Sequence, residues 1–175
     1  GAIAIDPKHP DIIYVGTGEG NPRNSQTSGY GLYKSYDGGH TWECIGLEDT
    51  RTIHRIVINP ENTDEVYVGA TGSAWGDSPR GVFKTTDGGK TWENSLYLNP
   101  RAGAGDLVMD PNNPKKLIVN MWEYRREPWF FTIGGKESGL FITYDGGEHW
   151  KRLGEEEGLP KGDLGRIGLA IAPSN

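Results

Sequence analysis

Ser35-Tyr36-Asp37-Gly38-Gly39-His40-Thr41-Trp42 decides the fold, because the chain repeats it twice. It returns as Thr85-Thr86-Asp87-Gly88-Gly89-Lys90-Thr91-Trp92 and as Thr143-Tyr144-Asp145-Gly146-Gly147-Glu148-His149-Trp150. The three aspartates stand 50 and 58 residues apart. An aspartate at the mouth of such a turn can accept hydrogen bonds from the backbone N–H groups just after it. The glycine pair permits positive φ. The tryptophan that follows offers on the order of 150–250 Å² for burial between the turn and a core. Three copies in phase predict a scaffold role for Asp37, Asp87 and Asp145, not a metal site.

Working outward, two further segments repeat in step. Ile3-Ala4-Ile5-Asp6-Pro7 matches Ile56-Val57-Ile58-Asn59-Pro60, Leu107-Val108-Met109-Asp110-Pro111 and, loosely, Leu169-Ala170-Ile171-Ala172-Pro173. Ile13-Tyr14-Val15-Gly16 matches Val66-Tyr67-Val68-Gly69 and Leu117-Ile118-Val119-Asn120. Each repeat therefore reads as four short strands, A (Ile3 to Ile5 in the first copy), B (Ile12 to Gly16), C (Gly31 to Ser35) and D (Thr41 to Ile45). The A–B connection, as in Asp6-Pro7-Lys8-His9-Pro10, is a tight turn set by proline and a capping aspartate. Four strands per 40–50 residues mark a propeller blade. The expected fold is all-β: a β-propeller fragment of three four-stranded blades, about 1–50, 51–100 and 101–160, plus the first strand of a fourth at about 165–173. Propellers close with about 4–8 blades, so the chain is expected to be part of a longer protein or to complete its ring with partner chains.

Composition agrees. Hydrophobic residues make up 34% of the 175, and 27 glycines and 11 prolines favour many short strands over helices. A net charge of −6 argues against nucleic acid as a partner. No apolar run is long enough for a membrane-spanning helix. Cys44 is the single cysteine, so no disulfide within the chain and no cysteine-based metal site is expected, and no cofactor is implied.

The three turns resemble the Asp-box, or BNR, repeat of sialidases, xyloglucan-hydrolysing propellers and sortilin-type receptors. The wording from Ile13-Tyr14-Val15-Gly16-Thr17-Gly18-Glu19-Gly20-Asn21 to Gly31-Leu32-Tyr33-Lys34-Ser35 is similar to large bacterial proteins of the sortilin-like or BNR-repeat glycosyl hydrolase type. So are Gly81-Val82-Phe83-Lys84-Thr85 and Leu164-Gly165-Arg166-Ile167-Gly168. The resemblance implies an exported protein and a propeller, not a reaction. The Phe-Arg-Ile-Pro entry motif of sialidases is absent, and no catalytic residue of those families can be carried onto this chain.

Repetition also supplies an internal control. Positions shared by all copies are scaffold; positions peculiar to one copy are candidates for function. The A–B and C–D turns are short and uniform and belong to one face. The B–C loops (Thr17 to Tyr30, Ala70 to Arg80, Met121 to Ser138) and D–A loops (Gly46 to His54, Tyr97 to Gly105, Gly154 to Gly165) vary and belong to the other. The arginines gather on that variable face, with Arg23, Arg80, Arg125 and Arg126 in B–C loops, Arg51 and Arg101 in D–A loops, and Arg55 and Arg166 where strand A begins. The tryptophans outside the repeated turns, Trp75, Trp122 and Trp129, lie there too. Arginine grips carboxylate, sulfate or phosphate, and aromatic faces suit sugar rings or peptide side chains. Arg23, Arg51, Arg55, Trp75, Arg80, Trp122, Arg125, Arg126 and Trp129 are therefore the expected ligand-binding set. The competing expectation is that the same residues pack the loops together, with Arg paired to Glu19, Asp77, Asp106, Glu123 or Asp163. Those carboxylates are also candidates for glycoside hydrolysis, which needs two at about 5–9.5 Å. His54 is expected to pack or hydrogen-bond rather than catalyse. Three functions remain: a peptide- or glycan-binding module, a glycoside hydrolase, and a structural module of a surface assembly.

Overall fold

The computed structural model describes residues 1–21 and 25–173. Three four-stranded antiparallel sheets follow one another along the chain. The first is β1 (Ala2–Ile5), β2 (Ile13–Gly16), β3 (Leu32–Ser35) and β4 (Glu43–Cys44), in that spatial order. The second is β5 (Ile53–Ile58), β6 (Val66–Ala70), β7 (Gly81–Thr85) and β8 (Glu93–Leu96). The third is β9 (Ala102–Asp110), β10 (Asn113–Glu123), β13 (Gly139–Thr143) and β14 (Lys151–Leu153). A small hairpin, β11 (Arg125–Arg126) with β12 (Phe131–Thr132), stands in the B–C connection of the third. The described residues contain no α-helix. These are three blades of a β-propeller.

Each Asp-Gly-Gly turn is built alike. Asp87 Oδ1 accepts from Thr85 Oγ1 at 2.7 Å and from the N–H groups of Lys90 and Thr91 at 3.0 Å, while Oδ2 accepts from Thr91 Oγ1 at 2.6 Å. Asp37 does the same with Ser35 and Thr41, and Asp145 with Thr143 and His149. The Thr41 hydroxyl and N–H hold the Asp37 carboxyl down to about 2. Gly88 and Gly89 sit at φ 74 and 97, a region closed to other residues without strain. Gly38, Gly88 and Gly146 then donate to the A–B turn carbonyls of Asp11, Asp64 and Lys115, each at 2.9 Å. The C–D and A–B turns therefore share one end of the molecule.

The core lies between blades. Tyr14 and Leu32 of the first blade bury against Ile53, Ile56, Val66, Val68 and Phe83 of the second. Tyr67 and Val82 of the second bury against Ala104, Leu107, Leu117, Val119 and Phe141 of the third. Indole groups cross the same gaps: Trp92 Nε1 donates to Ile45 O at 2.9 Å, and Trp150 Nε1 to Ser95 Oγ at 3.0 Å. In return Lys34 Nζ donates to Gly88 O at 3.0 Å and the Tyr67 hydroxyl to Gly146 O at 2.8 Å.

Two details differ from the sequence reading. In the third blade the ladder runs on to Trp122↔Gly103 and Glu123↔Ala102, so Trp122 lies on strand β10 rather than in a loop. Gly103 lets the second blade approach closely here, since a Cβ on it would meet the Thr71 carbonyl at 2.4 Å. The expected fourth-blade strand lies against the third blade, where Ile167 and Leu169 N–H groups bond to Asn120 Oδ1 and Asp106 Oδ2 at 2.9 Å. These side-chain oxygens, not a second strand, supply its partners, so it carries no ladder.

Candidate functional site at the loop end

The B–C and D–A loops meet at the opposite end from the Asp-Gly-Gly turns. Gly29 N donates to Arg51 O, Thr71 N to Thr52 O, Tyr124 N to Arg101 O and Arg126 N to Ala74 O. At the inner strands, β-bulges interrupt the pairing between Ile53 and Arg55 and beside Asp106, which re-aims the side chains there. Arg55 Nε donates to Asp106 Oδ1 at 2.6 Å across the blade gap. Burial works to raise the Asp106 pKa, but the Arg55 hydrogen bond and charge and the N–H groups of Leu169 and Leu107 outweigh it, and the carboxyl is lowered. His54 is buried beside them, with the Arg166 guanidinium against its Nε2. Burial first, then the charges of Arg166 and Arg55, push its pKa down to about 4.

From Arg166 a chain of rings runs outward to the loop surface. Arg166 lies 5.8 Å from the Trp122 ring, Trp122 stacks on Tyr124 at 4.6 Å, and Tyr124 meets the Phe131 edge at 5.4 Å. Arg126 lies 5.2 Å from Phe131 and 5.9 Å from Trp75. The Tyr124 hydroxyl donates to Gln26 Oε1 at 2.6 Å, tying the first blade's loop to the third's. Beyond this row the β11–β12 hairpin exposes Trp129 (86%), Phe130 (57%) and Ile133 (55%), with Trp75 half-open at 51%.

The expected residues therefore divide. Trp75 and Arg126 lie together, and Trp129 stands exposed in the hairpin that carries Arg126. Arg125 precedes Arg126 and pairs with Asp77 at 3.0 Å. Arg55 is spent largely on Asp106, and Arg51 lies at φ 63 with only a 3.8 Å contact to Asp49. Arg80 is a correction: it is fully buried, and its guanidinium donates to the carbonyls of Ser73, Gly76, Ser78 and Arg101. It builds the second B–C loop and presents nothing to a ligand. Trp122 is a second correction, buried at 3% under Arg166 and Tyr124. Arg23 lies outside the described residues. Tyr124, Phe130 and Phe131 were missed; the signal was the aromatic density of the third B–C loop, which has no counterpart in the other copies.

Comparison with known proteins fits this architecture. The family model described as Sortilin, neurotensin receptor 3 (Sortilin-Vps10) matches residues 30–159, roughly three-quarters of the chain. The chain belongs to the Sortilin-Vps10 family. An oligoxyloglucan-reducing end-specific xyloglucanase of Emericella nidulans is 25% identical over 165 residues, covering 87% of this chain and 17% of the xyloglucanase. Two solved structures share the fold. An ancestral GH74 enzyme superposes with TM-score 0.62 at 18% identity, over 86% of this chain and 17% of its own. The Niastella koreensis GH74 enzyme superposes with TM-score 0.52 at 18% identity, over 86% of this chain and 28% of its own. The segment thus spans a minor part of each relative's length. Its blades share the fold of those GH74 enzymes. No helix among the described residues is long and apolar enough to cross a membrane. The described residues hold no group of three or more metal-ligating side chains.

Proposed function

We propose that this segment is the ligand-binding part of a propeller in a larger exported protein, and that it holds a glycan on the loop end. The observation that carries the reading is the Trp75–Arg126–Phe131 group with Trp129 and Phe130 standing open beyond it. Aromatic faces accept the C–H faces of sugar rings, and a guanidinium beside two rings can offer its N–H groups to hydroxyl or carboxylate oxygens. The likeness to a xyloglucanase supports glycan as the first choice.

A peptide is the second reading, supported by membership of the sortilin family. Hydrolysis by this segment's own acids has less support. Asp77 is paired with Arg125, Glu123 accepts the Glu137 N–H at 2.7 Å, and Asp106 is bound to Arg55. A general acid working near neutral pH needs a raised pKa, and that of Asp106 is lowered. A hydrolase acting through Asp77, Asp106 or Glu123 therefore has little support.

The test is calorimetric titration of the full-length protein with xyloglucan oligosaccharides, beside a peptide library. Trp129→Ala and Arg126→Ala should each weaken glycan binding about tenfold or more with the unfolding midpoint unchanged. Undiminished affinity in both variants would refute the loop-end site. Binding of peptides alone would transfer the site to the second reading.

A further inference from the structure

The loop-end arginines differ in what receives their guanidinium. Arg125 donates to Asp77 at 3.0 Å and stands 3.8 Å from Glu127. Arg55 is taken by Asp106, Arg80 by backbone carbonyls, and Arg166 by His54 Nε2 and Asn21 Oδ1. Arg126 is held in place just as firmly, but by other means. Its backbone N–H donates to Ala74 O at 2.7 Å, and it pairs with Phe131 across the hairpin. Its guanidinium lies 5.2 Å from the Phe131 ring and 5.9 Å from the Trp75 ring. The residue is half-buried, yet among the described residues no carboxylate or other oxygen receives that guanidinium. The acids of the same loops, Asp77 and Glu127, face Arg125 instead. Arg101 is also without an acceptor, but it is exposed and touches no ring, so nothing fixes its guanidinium.

Arginine stays charged throughout the working pH range and carries five N–H donors. Ring faces attract the cation but leave those donors in need of oxygen. A fixed, partly desolvated guanidinium of this kind is completed by an anion from outside the chain. We propose that Arg126 receives the carboxylate of an acidic sugar, so that the glycan taken at this end carries uronic acid residues. The inference rests on the glycan reading above and names the class of glycan. The guanidinium fork can hold both carboxylate oxygens through parallel N–H bonds. A neutral sugar offers it only single hydroxyl oxygens, which do not match the fork in that way. Trp75, 51% exposed beside Arg126, offers a face to the sugar ring that bears the carboxylate.

Calorimetric titration of the full-length protein tests it. The probes are oligogalacturonate and glucuronate-bearing xylan oligosaccharides, each set beside its methyl ester, and neutral xyloglucan oligosaccharides. Esterification removes the charge and keeps the sugar ring. At least one acid should bind about tenfold or more tighter than its own ester at low salt, and the difference should shrink as salt is raised. Arg126→Gln should remove most of that difference. Arg126→Lys, which keeps the charge without the fork, should retain part of it. Both variants should unfold at the parent's midpoint. Equal affinity for every acid and its ester would overturn the inference, while binding of either form, or of xyloglucan, would leave the glycan reading standing. An acid preference that survives Arg126→Gln would overturn it too, by assigning the charge to another cation. Binding of none of these sugars would sink both.

Discussion

The two ends of this molecule are made from the same repeat and behave in opposite ways. At the Asp-Gly-Gly end all three blades use one set of bonds, from Asp37, Asp87 and Asp145 to the hydroxyl two residues before and to the groups three or four residues after. At the loop end the blades differ, and among the described residues only the third raises a hairpin, with Trp129 in its connection. Uniform positions report what every blade needs in order to stack. Variable positions divide further, into side chains that hold the longer loops together and side chains with nothing left to hold.

Arg80→Ala probes that inner division with the largest expected effect. It empties the fully buried space the side chain fills and removes the donor shared by the carbonyls of Ser73, Gly76 and Arg101, and denaturant unfolding should show a loss of about 3 kcal/mol. A negligible loss would return Arg80 to the candidate ligand set. Trp150→Phe keeps one aromatic ring but removes the rest of the indole and the hydrogen bond to Ser95, so the same assay should read about 1–2 kcal/mol. His54 gives a gentler signature. The folded chain holds it neutral down to about pH 4, while the unfolded chain takes up a proton near 6.5. Between those values the unfolded state binds more protons, so this residue's contribution to stability falls as pH drops from about 6.5 to about 4. An NMR titration with its midpoint near 6.5 would contradict the burial that places His54 among Arg55, Arg166 and Asp106.

Much of the fold was legible because repetition cancels accident. One Asp-Gly-Gly-x-Thr-Trp run is a turn; three in phase with Ile-x-Ile-Asp-Pro segments fix strands, register and the end to which each turn belongs. The site was less legible, for a physical reason. Composition marks Arg80 and Arg126 alike as loop arginines, and only packing shows that the first is enclosed by carbonyls and the second lies between Trp75 and Phe131. Trp122 misled in the same way. The ladder continues past the expected strand end and carries the indole beneath the loops. Conversely, the blade-to-blade latches carried a repeated signal, in Lys34 and Lys84 and in the three tryptophans, whose partners become visible only when blades are placed side by side.

The central claim is that the repeated Asp-Gly-Gly turns serve stability and the open tip at the other end serves recognition. Its most direct test is the thermal unfolding midpoint of Asp87→Ala set against that of Trp129→Ala in the full-length protein. Asp87→Ala, which removes the acceptor for Thr85, Lys90 and Thr91, should lower the midpoint clearly. Trp129→Ala should leave it where it was. A midpoint lowered by the Trp129 change and untouched by the Asp87 change would contradict the account.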